Sequence, residues 1–314
     1  MNDYPSQLKI GWIGTGVMGQ SMAGHLLGAG HELTVMNRTP AKAQKLVDEG
    51  AKRVSTPSEA AEGNDVVFTM VGYPDDVREV YLGEDGILSR VQPDAIMVDL
   101  TTSSPELAAE IYSQAKAKNG SSIDAPVSGG DIGARNAALS IMVGGDQDAV
   151  ERVMPLFEKM GKTIVHHGPA GAGQNCKMVN QILVAGTMVS VCESLIFAAK
   201  SGLDPTTVLK SVGGGAATSW TLVNLGPRII SGDDAPGFYV EHFLKDMRIA
   251  LEQCERMNLQ LPGLELCREL YQRLSELGHH RSGTQALIHA LSSINELSWP
   301  PSTSNDPNNV ADAS

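Results

Sequence analysis

The chain has 314 residues, enough for two domains, and its 42% apolar and 19% charged residues exclude a disordered or fibrous protein. Lys and Arg number 24 against 36 Asp and Glu, a net charge of −12, which argues against non-specific binding of nucleic acid or of an anionic membrane. Glycine is frequent, 33 residues without a collagen period, and points to tight turns and close approach of backbone to ligand.

Met1–Lys9 lacks the basic-then-apolar pattern of a secretory leader. The first half then alternates short apolar runs with amphipathic segments. The runs are Leu8–Ile13, Leu33–Met36, Val66–Val71, Ala95–Leu100 and Ser140–Val143; between them lie Ala41–Glu49, Asp75–Tyr81, Pro105–Lys118 and Gln147–Met160. This alternation predicts a parallel sheet with helices on both faces. From about Gly171 the strand signals stop and helical patterns follow: Gln174–Ser201, Pro205–Ser211, Val240–Met257, Pro262–Leu277 and Thr284–Leu297. The expected organisation is an α/β domain over 8–170, a turn near Gly168–Gly173, and an all-helical domain over 171–297.

Val179–Ala199 is the most membrane-like stretch, yet it carries Asn180, Gln181, Thr187, Ser190, Glu193 and Ser194. That polar load predicts a buried helix of a soluble protein. The segment after Leu297, rich in Pro, Ser, Asn and Asp, is expected to be a disordered tail, 298–314. Cys176, Cys192, Cys254 and Cys267 form no C-x-x-C pair and predict reduced thiols in a cytoplasmic protein. Eight histidines include the doublets His166-His167 and His279-His280, but no H-E-x-x-H or His/Cys cluster occurs, so no metal is expected. Trp220, Phe238, Tyr239 and Phe243 are expected to pack in the core of the helical domain, with a pocket-lining role as the alternative.

The first run leads into Gly14-Thr15-Gly16-Val17-Met18-Gly19, a G-x-G-x-x-G with a strand before it and a helix after it. In that setting it is a dinucleotide fingerprint and the first domain is Rossmann-type: Gly14 for the tight turn, Gly16 for approach of the pyrophosphate, Gly19 for close helix–strand packing. The helix N-terminus adds N–H donors and a positive dipole end. The second strand ends at Asn37-Arg38-Thr39, where NAD-binding chains carry an acid. A carboxylate would repel a 2′-phosphate, whereas the Arg38 guanidinium can grip it, with hydrogen bonds from Asn37 and Thr39. NADP is therefore the expected cofactor, with NAD accepted.

Two further segments suggest chemistry. Ser128-Gly129-Gly130, within Asp124–Gly130, offers a hydroxyl and unobstructed N–H groups to a substrate carboxylate. On the helix that follows Gly173, Lys177, Asn180 and Gln181 share a face at i, i+3 and i+4. Polar groups on so apolar a helix are costly unless used; a lysine that snorkels at the helix start is the alternative.

These segments resemble the β-hydroxyacid dehydrogenase family over about residues 8–297. Four motifs occur in family order: Gly14–Gly19, Asp124–Gly130, Gly168–Gln181 with Lys177, and His242–Asp246 with Lys245-Asp246. Val71-Gly72-Tyr73-Pro74, Thr101-Thr102-Ser103, Gly237-Phe238-Tyr239-Val240 and Gly283-Thr284-Gln285-Ala286 are similar to the 3-hydroxyisobutyrate dehydrogenase-like branch. The resemblance implies a 6-phosphogluconate dehydrogenase-like fold, a Rossmann domain followed by an all-α domain. It implies Lys177 as general acid/base and Asn180 or Gln181 as its amide partner; many relatives have Asn where this chain has Gln181. It further implies Ser128, Gly129 and Gly130 at the substrate carboxylate, Val71, Gly72 and Thr102 at the cofactor, Lys245 on the cofactor side, and Asp246 near the substrate or structural. The implied protein is a homodimer or homotetramer that interconverts a small β-hydroxy acid and its semialdehyde. Alternatives are reduction of 2-hydroxy-3-oxopropionate (tartronate semialdehyde), glyoxylate or succinic semialdehyde, and, in another class, a non-catalytic NADP-binding scaffold. Retention of Lys177 argues against the scaffold and against an imine reductase.

Overall fold

The computed structural model describes residues 7–300. It divides into two compact units, Met1–Gln181 and Ile182–Ser314. The division falls inside the long helix Ala172–Lys200, later than the boundary expected from sequence, because the first ten residues of that helix belong with the sheet. Of the tail expected from residue 298, residues 301–314 lie outside the described residues. Trp299 is not loose: its indole N–H donates to the Ile229 carbonyl at 2.8 Å.

The first unit holds nine strands among the described residues: β1 Lys9–Ile13, β2 Glu32–Met36, β3 Lys52–Arg53, β4 Val66–Thr69, β5 Ile96–Asp99, β6 Ser121–Asp124, β7 Val127–Ser128, β8 Leu139–Gly144 and β9 Gly161–Gly168. They form one sheet in the order β3-β2-β1-β4-β5-β6-β8-β7, with β9 paired to β8. β1 to β6 are parallel, β8 runs antiparallel to β6 and β7, and β9 returns parallel to β8. The order 3-2-1-4-5-6 is that of a dinucleotide-binding doubly wound sheet, whose strand order reverses between β1 and β4.

The central strands are apolar without a break because both their faces are covered. Alternation then sorts the side chains. Ile10, Trp12, Phe68, Ile96 and Val98 enter one core and Ile13, Val67 and Met97 the other. Trp12 stacks on Phe68 with ring centroids 5.3 Å apart, and Phe68 meets Phe157 edge-on at 6.4 Å. The register fixes what emerges at the C-terminal edge: Met36, Ile13, Thr69, Asp99 and Asp124, the last residues of five adjacent strands, pair in a row. The loops that leave this row carry the residues of interest.

The second unit is helical: the remainder of Ala172–Lys200, then Pro205–Val212, Trp220–Ser231, Val240–Arg256, Pro262–Leu274 and Leu287–Ile294. Phe243 is fully buried and packs against Tyr271 at 4.9 Å and Phe238 at 5.6 Å. The expectation of core packing fails for Trp220, which is 61% exposed at the start of its helix. All four cysteines are free thiols. The helix Ala172–Lys200 has the length and hydropathy of a membrane span, with 44% of its most apolar window buried in the fold.

Candidate active site

The fingerprint is a turn held from several sides. The Gly14 N–H donates to the Met36 carbonyl at 2.9 Å, and the buried Trp12 indole donates to the Gly14 carbonyl at 2.9 Å. Gly14 has φ +94°, and a Cβ there would lie 2.1 Å from the Met70 carbonyl oxygen. A Cβ on Gly19 would lie 2.0 Å from the Gly14 oxygen, whereas one on Gly16 would meet nothing within 4 Å. Two glycines are thus required by the protein itself, and the third leaves open space. The helix Val17–Gly28 begins at Gly16 without a side-chain cap or an acid in its first turn, so its leading N–H groups are available to an anion. Thr15 Oγ1 is buried beside them without a hydrogen-bond partner. An open approach, uncapped donors and an orphaned hydroxyl fit the diphosphate of a dinucleotide. Val17, although apolar, is exposed at this turn.

Asn37 is hydrogen-bonded within the chain. Its Oδ1 accepts the Thr15 N–H at 2.8 Å and its Nδ2 donates to the Thr39 carbonyl at 2.9 Å. The amide braces the fingerprint against the end of β2. Arg38 is 88% exposed along its side chain and pairs with Asp76 at 3.1 Å.

Beyond the sheet edge, buried polar groups tie the start of the helix Ala172–Lys200 to the strand ends. Asp124 accepts the Gly171 N–H at 2.7 Å and the Gln174 N–H at 2.8 Å. Burial pushes the Asp124 carboxyl up from its ordinary value and these N–H groups oppose the shift. Gln174 donates to the Thr101 carbonyl at 2.8 Å and accepts the Ser103 N–H at 2.9 Å. The Val71 N–H donates to Thr101 Oγ1 at 3.0 Å. Lys177, one turn beyond Gln174, is 6% exposed, and its Nζ donates to the Val127 carbonyl at 2.9 Å, next to Ser128. Gly129 and Gly130 follow with φ +129° and +62°, successive conformations that only glycine adopts without strain. Asn180 Nδ2 donates to Gln181 Oε1 at 2.7 Å, so the two amides act as one unit; Gln181 is buried and Asn180 half-buried.

The fingerprint, Asn37–Thr39, Val71–Gly72, Thr102, Ser128–Gly130 and Lys177–Gln181 therefore leave one edge of the sheet. Lys245 and Asp246 belong to the second unit, on the helix Val240–Arg256, where they pair at 3.0 Å and are both buried. Asp124, Gln174 and Thr101 went unassigned in the sequence; the available signal was a polar residue one turn before Lys177 on an apolar helix.

Asp99 sits at the same edge, buried, with Oδ1 accepting from Thr69 Oγ1 at 2.9 Å and the Thr101 N–H at 3.0 Å. Burial raises its pKa from 3.8 to about 6. A carboxyl raised in the fold binds a proton there that the unfolded chain has lost, so its contribution is full below 3.8 and lost as pH climbs through about 6. Asp99→Asn keeps an acceptor oxygen without the charge. Its stability relative to the native chain should rise between pH 4 and pH 8 by up to about 3 kcal/mol. Urea melts at the two pH values check this; an unchanged gap contradicts it.

Comparison with known proteins agrees with this geometry. Residues 9–168 match the family described as the NAD binding domain of 6-phosphogluconate dehydrogenase, and residues 171–291 the family described as NAD-binding of NADP-dependent 3-hydroxyisobutyrate dehydrogenase. A mitochondrial 3-hydroxyisobutyrate dehydrogenase-like protein of Arabidopsis thaliana is 52% identical over 96% of this chain and 90% of its own length. The 2-hydroxy-3-oxopropionate reductase of Escherichia coli is 40% identical over 90% of this chain and 97% of its own. The solved Mycobacterium tuberculosis 3-hydroxyisobutyrate dehydrogenase with L-serine superposes with a TM-score of 0.83 at 29% identity, covering 91% of this chain and 99% of that one. The chain belongs to the β-hydroxyacid dehydrogenase family and is a nicotinamide-dependent oxidoreductase acting on a hydroxyl-bearing carbon.

Proposed function

We propose that the protein interconverts a small β-hydroxy acid and its semialdehyde with NADP as the preferred cofactor, Lys177 moving the proton. The observation that carries the reading is a buried ammonium, held by the Val127 carbonyl, immediately before the Ser128–Gly130 turn. Gly14–Gly19 would hold the dinucleotide, with Val71, Gly72 and Thr102 towards its nicotinamide. When bound, the nicotinamide supplies or accepts the hydride.

In the reducing direction, Ser128 Oγ and the N–H groups of Gly129 and Gly130 anchor the substrate carboxylate. Lys177 Nζ gives a proton to the aldehyde oxygen as negative charge grows on it, and the Asn180–Gln181 pair orients that oxygen. In oxidation the neutral amine takes the hydroxyl proton back. Asp124 and Gln174 hold the helix so that Nζ stays in place; they are positioning residues. Asp246, buried beside Lys245, is a structural counter-ion in this scheme.

The family relatives support 3-hydroxyisobutyrate as substrate, and 2-hydroxy-3-oxopropionate as the second reading, since the E. coli reductase bears that name. NADPH oxidation measured with methylmalonate, tartronate and succinic semialdehydes and glyoxylate, with 3-hydroxyisobutyrate in the reverse direction, decides. Turnover of none of them, with NADPH still bound, would leave the scaffold reading standing.

Arg38 carries the NADP preference. Its exposed pair with Asp76 is worth little in water, so the guanidinium is free to turn to a 2′-phosphate. Charge-assisted hydrogen bonds to that group are worth about 1.5–3 kcal/mol. Arg38→Ala should therefore raise KM for NADPH about 10- to 100-fold and leave KM for NADH nearly unchanged. Equal effects on both cofactors would remove the assignment.

The helix Ala172–Lys200 leaves Val179, Leu183 and Phe197 exposed on one face, Phe197 by 73%. A second copy covering this face would make the homodimer or homotetramer of our reading. Leu183→Asp should shift the sedimenting species towards monomer; an unchanged assembly places the interface elsewhere. Four free thiols suit a reducing compartment, which we take to be the cytoplasm.

A further inference from the structure

The second unit brings three ligating side chains together that belong to no part of the reaction described above. Asp234 lies in the loop after the helix Trp220–Ser231, His279 in the turn after Pro262–Leu274, and His289 on the helix Leu287–Ile294. One ligand atom of each lies within 4.8 Å of the others, and all three side chains are half-buried. His289 Nε2 is 2.7 Å from Asp234 Oδ2. The His279 ring stacks on the His289 ring, centroids 4.7 Å apart and planes 14° from parallel. His279 Nδ1 is 3.3 Å from Ser282 Oγ.

The backbone under this cluster is braced. The Gly283 N–H donates to the Asp234 carbonyl at 2.8 Å. Gln285 Nε2 donates to the carbonyls of Asp233 at 2.9 Å and Ala235 at 3.0 Å. Tyr239 and Gly283 form a β-bridge. The Asp234 loop is thus tied to Gly283 and Gln285, between His279 and His289 in the chain, and the Ser282 N–H donates to the His279 carbonyl at 3.0 Å.

Two imidazoles and one carboxylate are a donor set for a borderline divalent cation. Magnesium and calcium take oxygen ligands instead. Zinc holds nitrogen and carboxylate oxygen at about 2.0–2.2 Å, so ligand atoms around a tetrahedral ion are about 3.3 Å apart. The His289–Asp234 separation is already shorter than this, and the widest gap has to close by about 1.5 Å at most.

We propose that Asp234, His279 and His289 form a binding site for one zinc-class divalent cation per chain, with water at the fourth position. The ion would take the place of the proton shared by His289 and Asp234 and would pin the loop at Asp234 and the turn at His279 to the helix Leu287–Ile294. The sequence expectation of no metal rested on short ligand spacings; these ligands are scattered over 55 residues and meet only in the fold.

The test uses the full-length protein freed of metal by a chelator. Calorimetric titration with zinc chloride should show one ion per chain, and magnesium chloride should give no heat. Cobalt(II) should give the visible absorption of a four-coordinate site, and zinc should raise the melting temperature. His279→Gln combined with His289→Gln should weaken zinc binding at least tenfold and abolish the cobalt signal. Asp234→Asn, which keeps an acceptor for His289, should also weaken zinc binding and serves alone should the double variant not fold. Absence of zinc binding by the native chain overturns the proposal. So does equal zinc affinity in the folded variants, which would assign the ion to other side chains.

Discussion

Lys177→Ala should lower kcat by about 10²- to 10⁴-fold, the usual value of a positioned general acid, while the dissociation constant for NADPH changes by less than about twofold. The split follows from where the lysine sits. Its ammonium is buried and donates to the Val127 carbonyl, at the turn assigned to substrate. The fingerprint is braced by other groups: Trp12, Asn37 and the Met36 carbonyl. Truncation also leaves the Val127 oxygen without its Nζ donor, a stability cost of about 1–3 kcal/mol. Melts of the variant are therefore needed beside the kinetics. Lys177→Arg separates charge from proton transfer. Arginine keeps the positive charge and cannot give up a proton near neutral pH, so it should remain close to the alanine variant in kcat. Recovery of more than about a tenth of native turnover by arginine would mean that charge alone suffices.

The second large effect is expected at the fingerprint, where two glycines should fail for opposite reasons. Gly14→Ala puts a Cβ 2.1 Å from the Met70 carbonyl oxygen at φ +94°. Overpacking and the unfavourable backbone conformation together cost about 2–6 kcal/mol, so the variant should be unstable without any cofactor present. Gly16→Ala meets nothing within 4 Å and has φ −69°, so its melting temperature should be native. Its methyl group would occupy the approach of the pyrophosphate, and NADPH affinity should fall at least about tenfold. A thermal melt and a fluorescence titration of each variant measure both effects. Native affinity in Gly16→Ala would mean that the dinucleotide does not pass over this turn.

What could be read from the sequence was what local chemistry dictates. The fingerprint was legible because each glycine answers a steric demand within a few residues or across one strand. β1, β4 and β5 were legible because burial on both faces leaves unbroken apolar runs. β9 was not: it lies at the sheet edge, and its Lys162, His166 and His167 obscure the apolar signal. The helix Trp220–Ser231 was hidden by Gly226 and Pro227 in its interior. Within the site, Lys177 stood out as a charge on an apolar helix. Its support did not, because Gln174 and Asp124 are 50 residues apart and meet only across the sheet edge. Asn37 shows the same limit: its acceptance of the Thr15 N–H, 22 residues away, is a contact made only in the fold.

The central claim is that the Lys177 amine exchanges a proton with the oxygen being reduced. A crystal structure of the protein with NADP⁺ and a carboxylate-bearing substrate analogue tests it most directly. Nζ should lie about 2.6–3.2 Å from the reacting oxygen, with the analogue's carboxylate on Ser128–Gly130. An analogue bound at the nicotinamide with Nζ beyond hydrogen-bond reach, and no water between them, would contradict it.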